Sequence, residues 1–217
     1  MERRRSILNR LRIAVTKGRL LDDSVKLFEK IGFDCEAVKN PGRRLLCPVD
    51  DGGFDVVLAK APDVITYIEN GVCDMGIVGL DTILERGGEF YEVLDLQYGK
   101  CRFALASRGG EDFFNTYKTR VVATKYPKVA GDYFAQKAID VKLIKIEGSV
   151  ELAPILGLAD AIVDIVETGS TLKANGLEVI ETVCGVSARL IVNTASMKLY
   201  RNEIMSLVAK CEKALPL

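Results

Sequence analysis

The sequence predicts an α/β fold in which helices connect the strands. Two observations carry this prediction: runs of β-branched apolar residues alternate with amphipathic stretches over most of the 217 residues, and glycines follow the ends of several helical stretches. A chain of this length buries about 70% of its unfolded surface. Neither a structural metal nor a disulfide is therefore needed to stabilise it.

Strands are predicted where short apolar runs have the length of a buried strand. In chain order these runs are Leu11 to Val15, Asp55 to Ala59, Asp74 to Val78, Cys101 to Ala106, Arg120 to Ala123, Val141 to Ile146, Ala161 to Val166, and Glu178 to Val192 with a break at Gly185.

Helices are predicted in the amphipathic stretches between these runs. They span Arg19 to Ile31, Pro62 to Asn70, Leu80 to Arg86, Pro127 to Lys137, Val150 to Leu156 and Ser196 to Lys210. No flexible linker, repeat or low-complexity tract separates two halves. Two lobes, if present, are therefore joined by strands.

Composition excludes several classes of function. The chain has 30 Lys plus Arg, 30 Asp plus Glu and no His, so imidazole catalysis, His-ligated zinc and Ser-His-Asp chemistry are excluded. Zero net charge argues against nucleic acid and acidic membranes as partners. The six cysteines form no C-x-x-C pair and are expected to be reduced core thiols. With no signal peptide or membrane span, we expect a cytoplasmic protein.

The amino-terminal residues form a basic cluster. A solvated tail or a partner-contact surface is expected here, and no catalytic role is assigned. The cluster consists of Arg3, Arg4, Arg5, Arg10 and Arg12.

The stretch from Gly157 to Leu172, GLADAIVDIVETGSTL, carries the most chemistry. It predicts a strand buried on both faces, interrupted by the carboxylate of Asp164, and then a turn into a helix. Amides and hydroxyls of that turn form a cradle for a phosphate, while Asp164 and Glu167 suit ribose hydroxyls. The alternative is an ordinary strand with a capped helix. The turn consists of Glu167, Thr168, Gly169, Ser170 and Thr171.

The string from Asp160 to Leu177, DAIVDIVETGSTLKANGL, resembles the signature of the ATP phosphoribosyltransferases, which catalyse the first step of histidine biosynthesis. Three further segments agree with that family in the expected order: LRIAVTKGRL at 11–20, RRL at 43–45 and AKAPDVITYIENGVCDMGIVGLD at 59–81. The resemblance covers the chain from about residue 11 to its end. It implies that Asp160 belongs to the substrate-binding segment.

Cations after the first strand and in a Pro-Gly turn are candidates for binding anions. Lys17, Gly18 and Arg19 open the first helix, where two cations and backbone amides can face one anion. Either Arg43 or Arg44 could reach a pyrophosphate or triphosphate, and the local sequence does not choose between them. Solvated basic turns are the alternative reading.

The resemblance adds two further positions to the site, and the local sequence adds a third. Lys60 stands where the family most often has arginine, which keeps the charge but loses the bidentate fork. Gly79, followed by Asp81, ends a strand at a glycine turn. The third position begins a helix, where a plain Ser N-cap is the alternative. It consists of Glu147, Gly148 and Ser149.

The resemblance implies a two-lobed fold similar to the type II periplasmic binding proteins, with the active site in the inter-lobe cleft. Residues 1–97 with 181–217 are expected to form lobe I, and residues 98–180 lobe II with the phosphoribosyl-binding turn. The implied substrates are ATP and 5-phosphoribosyl-1-pyrophosphate. Mg²⁺ is expected to be held by substrate phosphates, with no metal site of the protein itself.

The implied reaction transfers the phosphoribosyl group to N1 of ATP and releases pyrophosphate. Lys17, Arg19, Asp164 and Glu167 are its expected catalytic residues. A chain ending at Leu217 resembles the short form of the family. That form implies a homodimer and a regulatory subunit similar to histidyl-tRNA synthetase.

Two alternatives remain open at this point. A phosphoribosyltransferase acting on a free base would share the T-G-x-T turn, and a non-catalytic binding protein for a phosphorylated ligand would share the fold.

Overall fold

A computed structural model describes residues 10–109, 113–115 and 117–215. These residues divide into two compact units: unit 1 holds those up to Gly99 and from Ser187 onward, and unit 2 holds those between Lys100 and Val186. The sequence predicted that the chain passes from one lobe to the other after residues 97 and 180. The second crossing comes later in the structure, because the strand before it stays paired within unit 2 as far as Val186.

Unit 1 contains a sheet of six strands among the described residues, in the order β2-β3-β1-β4-β11-β5. Strands β1, β3 and β4 are parallel, while β2, β11 and β5 run antiparallel to their neighbours. The strands span Leu11–Thr16 (β1), Leu46–Val49 (β2), Phe54–Ala59 (β3), Met75–Gly79 (β4), Tyr91–Asp95 (β5) and Ala188–Val192 (β11).

Helices cover both faces of this sheet, as the two-sided burial of its parallel strands requires. The helices of unit 1 span Arg19–Lys30 (α1), Glu36–Lys39 (α2), Ala61–Glu69 (α3), Leu80–Arg86 (α4), Thr194–Leu199 (α8) and Arg201–Ala214 (α9). Helix α1 buries Val25, Leu27 and Phe28 on one face, where the Phe28 and Phe54 rings lie 5.4 Å apart. Helix α3 buries Val64, Ile65 and Ile68 on the other.

Unit 2 contains a second sheet, in the order β10-β6-β9-β7-β8 across the described residues. Strands β7, β8 and β9 are parallel, and β6 is antiparallel to both β9 and β10. The strands span Cys101–Arg108 (β6), Arg120–Thr124 (β7), Val141–Lys145 (β8), Ala161–Val166 (β9) and Leu177–Val186 (β10), and the helices Pro127–Gln136 (α5), Leu152–Ile155 (α6) and Ser170–Ala174 (α7).

All six cysteines are free thiols, but only four of them occupy the core positions that the sequence predicted. Cys35, Cys47, Cys73 and Cys211 are buried, and Cys101 and Cys184 are half-buried. None of the helices in the described ranges has the length and hydrophobicity of a membrane-spanning segment. Of the basic amino-terminal cluster, Arg3, Arg4 and Arg5 lie outside the described residues. Arg10 forms an ion pair with Asp55 (3.0 Å), which gives it a structural role.

Candidate active site

The turn after β1 is held in place from the side of a neighbouring strand. The backbone N–H of Lys17 donates a hydrogen bond to the carbonyl of Ala59, at the end of β3, at 2.9 Å. The next residues, Gly18 and Arg19, begin helix α1, and all three residues of the turn are exposed. The backbone is therefore anchored while the two cationic side chains face solvent.

Gly18 has a conformation that favours glycine. Its φ is 89° and its ψ is −147°, in a region that residues with a side chain rarely adopt. No atom lies within 4 Å of the position a Cβ would take. Space therefore does not select glycine here, and the backbone conformation does. The Gly18 carbonyl accepts the N–H groups of Leu21 and Asp22, which fixes the first turn of α1.

Other residues of unit 1 that the sequence predicted for the site lie at the same edge of the sheet as the turn after β1. Because β1, β3 and β4 are parallel, Lys60 after β3 and Gly79 at the end of β4 lie at the edge where β1 ends. Strand β2 runs the other way, and the Leu45 carbonyl before it accepts the Leu58 N–H at 2.8 Å. The Arg43–Arg44 turn therefore lies at this edge too.

Five exposed cations thus share the edge of the unit 1 sheet where β1 and β3 end. We call this set the cationic edge: Lys17, Arg19, Arg43, Arg44 and Lys60. Exposed charges of one sign at the carboxyl ends of parallel strands raise the local concentration of an anionic ligand. Gly79 is buried beside them, and a Cβ there would collide with the Asp81 carboxylate.

In unit 2, the carboxyl ends of the three parallel strands also share one edge. Thr124 at the end of β7 is in register with Lys145 at the end of β8 and with Val163 in β9. The segment Glu147–Ser149 follows β8, and the turn of residues 167–171 follows β9. The structure therefore brings these two predicted segments to the same end of the sheet.

The 167–171 turn bends back through its own hydroxyl groups. The Oγ atoms of Thr168 and Ser170 lie 3.0 Å apart, and the Ser170 N–H donates to the Thr168 Oγ at 3.4 Å. Gly169 has a left-handed conformation, with φ 78° and ψ 6°. Thr168, Ser170 and Thr171 are exposed, as is Glu167. The polar groups of the turn therefore remain accessible to a ligand.

Asp164 is the carboxylate that interrupts the buried strand β9. Burial raises its pKa above the usual aspartate range, while the Ile165 N–H, which donates to Oδ1 at 2.8 Å, lowers the pKa and so opposes this effect. The nearby charge of Glu151 raises the pKa further, and that of Lys125 lowers it. Carboxyl groups whose pKa is raised by burial are often found at functional sites.

Glu147 is in a different environment. Its Oε1 forms an ion pair with Lys145 at 2.7 Å, and the hydrogen bond and charge of Lys145 lower the pKa of Glu147. Glu147, Gly148 and Ser149 are all exposed. Glu147 is therefore an ionised acceptor at the same sheet end as the 167–171 turn.

Asp160 lies apart from the other predicted residues. It precedes β9, whereas the 167–171 turn follows it, and six strand residues span about 20 Å. Its Oδ2 accepts the Val121 N–H at 2.7 Å, and its Oδ1 lies 3.6 Å from the Arg120 guanidinium. These contacts tie β9 to β7, so we leave Asp160 out of the proposed site.

No sequence motif marks Arg102, but the structure places it beside the turn. Arg102 in β6 is in register with Val166, directly before Glu167. Its Nε is shielded from solvent and has no hydrogen-bond partner in the described part of the chain. Only the antiparallel pairing of β6 with β9 reveals this position, because the two segments are distant in sequence.

Comparison with known proteins identifies close relatives. The family model described as HisG, ATP phosphoribosyltransferase, matches residues 60–213. The chain is 55% identical over 203 residues to an ATP phosphoribosyltransferase of Clostridium kluyveri, which covers 94% of this chain and 93% of that protein. It is 56% identical over 200 residues to that of Clostridium acetobutylicum, with coverage of 92% and 93%.

Solved structures show the same similarity. The ATP phosphoribosyl transferase (HisG:HisZ) complex from Thermotoga maritima matches with a TM-score of 0.78 and 32% identity, over 94% of this chain and 98% of that chain. The alkanesulfonate-binding protein SsuA from Xanthomonas axonopodis pv. citri matches with a TM-score of 0.56 and 12% identity, over 94% and 72%. The second match concerns the fold alone. The predicted fold, similar to the periplasmic binding proteins, is confirmed.

Proposed function

The chain belongs to the ATP phosphoribosyltransferase family, and we propose that it performs that family's reaction with the residues described above. It is the catalytic subunit for the first step of histidine biosynthesis. The reaction transfers the 5-phosphoribosyl group of phosphoribosyl pyrophosphate to N1 of ATP and releases pyrophosphate. The cationic edge is the observation that carries the assignment of residues to this reaction.

The cationic edge binds phosphate groups of the two substrates. ATP and phosphoribosyl pyrophosphate are both polyanions, and five exposed Lys and Arg side chains supply matching charge. Lys17 and Arg19 stabilise the leaving pyrophosphate, where negative charge builds in the transition state. Arg43, Arg44 and Lys60 hold the remaining phosphates. Gly79 ends β4 beside them, where the lack of a side chain leaves room for the Asp81 carboxylate.

The 167–171 turn binds the 5-phosphate of the donor. Its exposed Thr168, Ser170 and Thr171 hydroxyls are the groups that donate to phosphate oxygens. Asp164 and Glu167 contact the ribose, where positive charge develops as the bond to pyrophosphate breaks. Glu147, Gly148 and Ser149 lie at the same sheet end and complete the sugar contacts.

The chemistry requires no nucleophile from the protein. N1 of adenine attacks C1 of the ribose, the C1–oxygen bond to pyrophosphate breaks, and C1 inverts. The electron pair of that bond leaves with pyrophosphate. The protein's contribution is to orient two charged substrates and to stabilise separated charge, which lowers the barrier by several kcal/mol.

Mg²⁺ reaches the protein bound to substrate phosphates. The described residues hold no group of three or more Cys, Asp or Glu side chains able to bind a metal ion. Mg²⁺ prefers phosphate oxygens and water to an all-protein cage, and this preference supports an ion held by the substrate phosphates. The ion supplies further positive charge at the leaving group.

We also propose how the chain assembles and where it works. It forms a homodimer and associates with a regulatory subunit similar to histidyl-tRNA synthetase, which carries histidine feedback. A two-component assembly of this kind is supported by the HisG:HisZ complex of the Thermotoga maritima relative. Six free thiols favour a reducing compartment, and we place the enzyme in the cytoplasm.

An acceptor comparison tests the proposed function. The purified chain is mixed with MgCl₂, phosphoribosyl pyrophosphate and either ATP, free adenine or a free pyrimidine base, and the absorbance of the N1-substituted adenosine product is followed. We expect turnover with ATP alone. Turnover with a free base instead would assign a different phosphoribosyltransferase reaction. Binding of phosphoribosyl pyrophosphate without turnover would favour a binding protein, the function of the SsuA fold relative.

A further inference from the structure

Asp95 joins the two places where the chain enters and leaves unit 1. The chain leaves unit 1 after Gly99 and returns at Ser187. The Oδ1 of Asp95 accepts the hydroxyl of Ser187 at 2.8 Å and the N–H of Gln97 at 2.9 Å. One carboxylate oxygen thus bonds to both crossing segments.

The second carboxylate oxygen has a separate partner. The Oδ2 of Asp95 lies 3.1 Å from Nη2 of Arg189, whose Nη1 forms a 2.8 Å ion pair with Glu92. Arg189 therefore has two acidic partners on β5, whereas Ser187 and Gln97 share the single oxygen Oδ1. This division allows the two halves of the carboxylate to be tested separately.

The crossing segments also contact two turns of the proposed site. The Ser187 carbonyl accepts the N–H of Leu80, the residue after Gly79, at 3.0 Å. Ser187 is 6% exposed, so this hydrogen bond is protected from water. The position of Ser187 therefore sets the start of α4.

The other crossing segment reaches the first turn of α1. The Tyr98 hydroxyl lies 2.7 Å from the Ser24 Oγ, which donates to the Leu20 carbonyl at 2.6 Å. A Cβ at Gly99 would lie 2.6 Å from Leu20 Cδ2, so the backbone of this segment packs directly on Leu20. Leu20 follows Arg19, one member of the cationic edge.

The turn that delivers Tyr98 and Gly99 to α1 begins at a constrained residue. Gln97 has a φ of 58°, in the left-handed region that non-glycine residues seldom adopt. Its N–H is the one held by Asp95. An aspartate that accepts the N–H two residues later stabilises a local turn, so Asp95 maintains this conformation.

From these contacts we propose that Asp95 is a positioning residue for the phosphoribosyl transfer. Its Oδ1 holds Ser187 and the Gln97–Gly99 turn, and these in turn place the Gly79–Leu80 turn and the start of α1 with Arg19. The inference rests on the proposed function, because it assumes that the cationic edge binds substrate phosphates. Asp95 itself need not touch a substrate.

The test uses the full chain and variants that separate the contacts of Asp95 Oδ1 from those of Asp95 Oδ2. Asp95→Ala removes both contacts, Asp95→Asn keeps an acceptor oxygen for Ser187 and Gln97, and Ser187→Ala removes one partner of Oδ1. Glu92→Gln is the matched control, because it removes the neighbouring ion pair to Arg189 without touching a crossing segment. The measurements are kcat, KM for ATP, pyrophosphate affinity by calorimetry, and the thermal unfolding midpoint.

We expect Asp95→Ala and Ser187→Ala each to lower kcat by roughly tenfold or more, because small displacements of positioning groups are costly. Pyrophosphate affinity falls in both variants. The double variant Asp95→Ala/Ser187→Ala has a kcat no lower than that of the more affected single variant, because both substitutions remove the contact between Asp95 and Ser187. Asp95→Asn restores kcat to within about threefold of wild type by the same reasoning, and Glu92→Gln leaves it unchanged.

Contrary outcomes are separable. If Asp95→Ala and Ser187→Ala lower the unfolding midpoint but keep wild-type kcat and pyrophosphate affinity, Asp95 is structural only and the inference is wrong. Should Asp95→Ala fail to fold, Ser187→Ala decides the question alone. Wild-type protein that neither turns over nor binds pyrophosphate would overturn the proposed function, independently of any Asp95 variant.

Discussion

The carboxylate of Asp160 accepts the backbone N–H of Val121 at 2.7 Å, at the end of β9 opposite Thr168. The signature string that identifies the family therefore contains residues with two different tasks. Asp160 accepts a hydrogen bond that ties β9 to β7, and the residues after Val166 form the turn to which we assign phosphate binding.

Asp160→Ala is expected to lower stability rather than activity. Loss of the acceptor leaves the Val121 N–H without its partner, which costs about 1–3 kcal/mol. Urea unfolding measures this loss, while KM for phosphoribosyl pyrophosphate stays near the wild-type value. Glu167→Ala is the comparison, and we expect it to lower activity more than stability. A larger effect of Asp160→Ala on KM than on stability would show that Asp160 belongs to the substrate-binding site.

Gly18→Ala is expected to impair the turn that carries Lys17 and Arg19. A φ of 89° with ψ of −147° costs a residue with a side chain about 1–3 kcal/mol, and the turn relieves this cost by moving. Calorimetric titration with pyrophosphate measures the weakened binding. Gly131→Ala is the control, because Gly131 lies within helix α5 and its added methyl meets Leu143 at an ordinary 3.7 Å. Equal pyrophosphate affinity in both variants would contradict this role of Gly18.

Asp164→Asn is expected to stabilise the fold increasingly as the pH rises. Burial raises the folded-state pKa of Asp164 above its unfolded value. Its stabilising contribution is therefore fully present below the unfolded pKa of about 3.9 and is lost as the pH rises through the folded pKa. Unfolding free energies of wild type and variant, measured from pH of about 4 to 7, should diverge in favour of the variant.

Glu147→Gln provides the opposite sign for comparison. Lys145 lowers the folded-state pKa of Glu147, so this carboxylate stabilises the fold at neutral pH and its contribution disappears as the pH falls. The effect is small because the pair is exposed. If Asp164→Asn shows the same pH trend as Glu147→Gln, burial does not raise the pKa of Asp164.

Thr171→Val is expected to weaken binding of phosphoribosyl pyrophosphate far more than binding of ATP. The valine keeps the shape of the side chain but removes a hydroxyl exposed in the 167–171 turn. Separate KM values for the two substrates measure the difference. Thr66→Val, in helix α3 of unit 1, is the control for loss of a threonine hydroxyl elsewhere. Unchanged affinity of Thr171→Val for phosphoribosyl pyrophosphate would show that this turn does not bind the 5-phosphate.

Apolar runs predicted the interior strands because burial on both faces leaves a clear signal, as in β1, β3, β4 and β9. The strands that the sequence bounded do not include β2 and β5, the two edge strands of the unit 1 sheet. Strand β2 contains Pro48, which an edge tolerates, and β5 carries Glu92 and Asp95. Polar residues and proline lower the strand signal where only one neighbour pairs with the strand.

Helix ends and long-range contacts set the other limits of prediction. One helix was predicted from Ser196 to Lys210, whereas α8 and α9 meet at Tyr200. Among the residues proposed for the site, local motifs marked those of the cationic edge and of the 167–171 turn. The position of Arg102 beside Val166 and the contact of Asp95 with Ser187 depend on strand pairing across more than sixty residues. Local sequence contains no signal for such pairs.

In the proposed reaction, the phosphoribosyl group is transferred to the adenine of ATP and the ATP phosphates remain intact. Phosphorus NMR of the purified chain with MgCl₂, ATP and phosphoribosyl pyrophosphate tests this most directly. We predict that inorganic pyrophosphate appears in step with loss of the donor, while the three phosphate resonances of the nucleotide persist. Release of ADP or AMP, or an unchanged spectrum, would show that the chain does not catalyse this transfer.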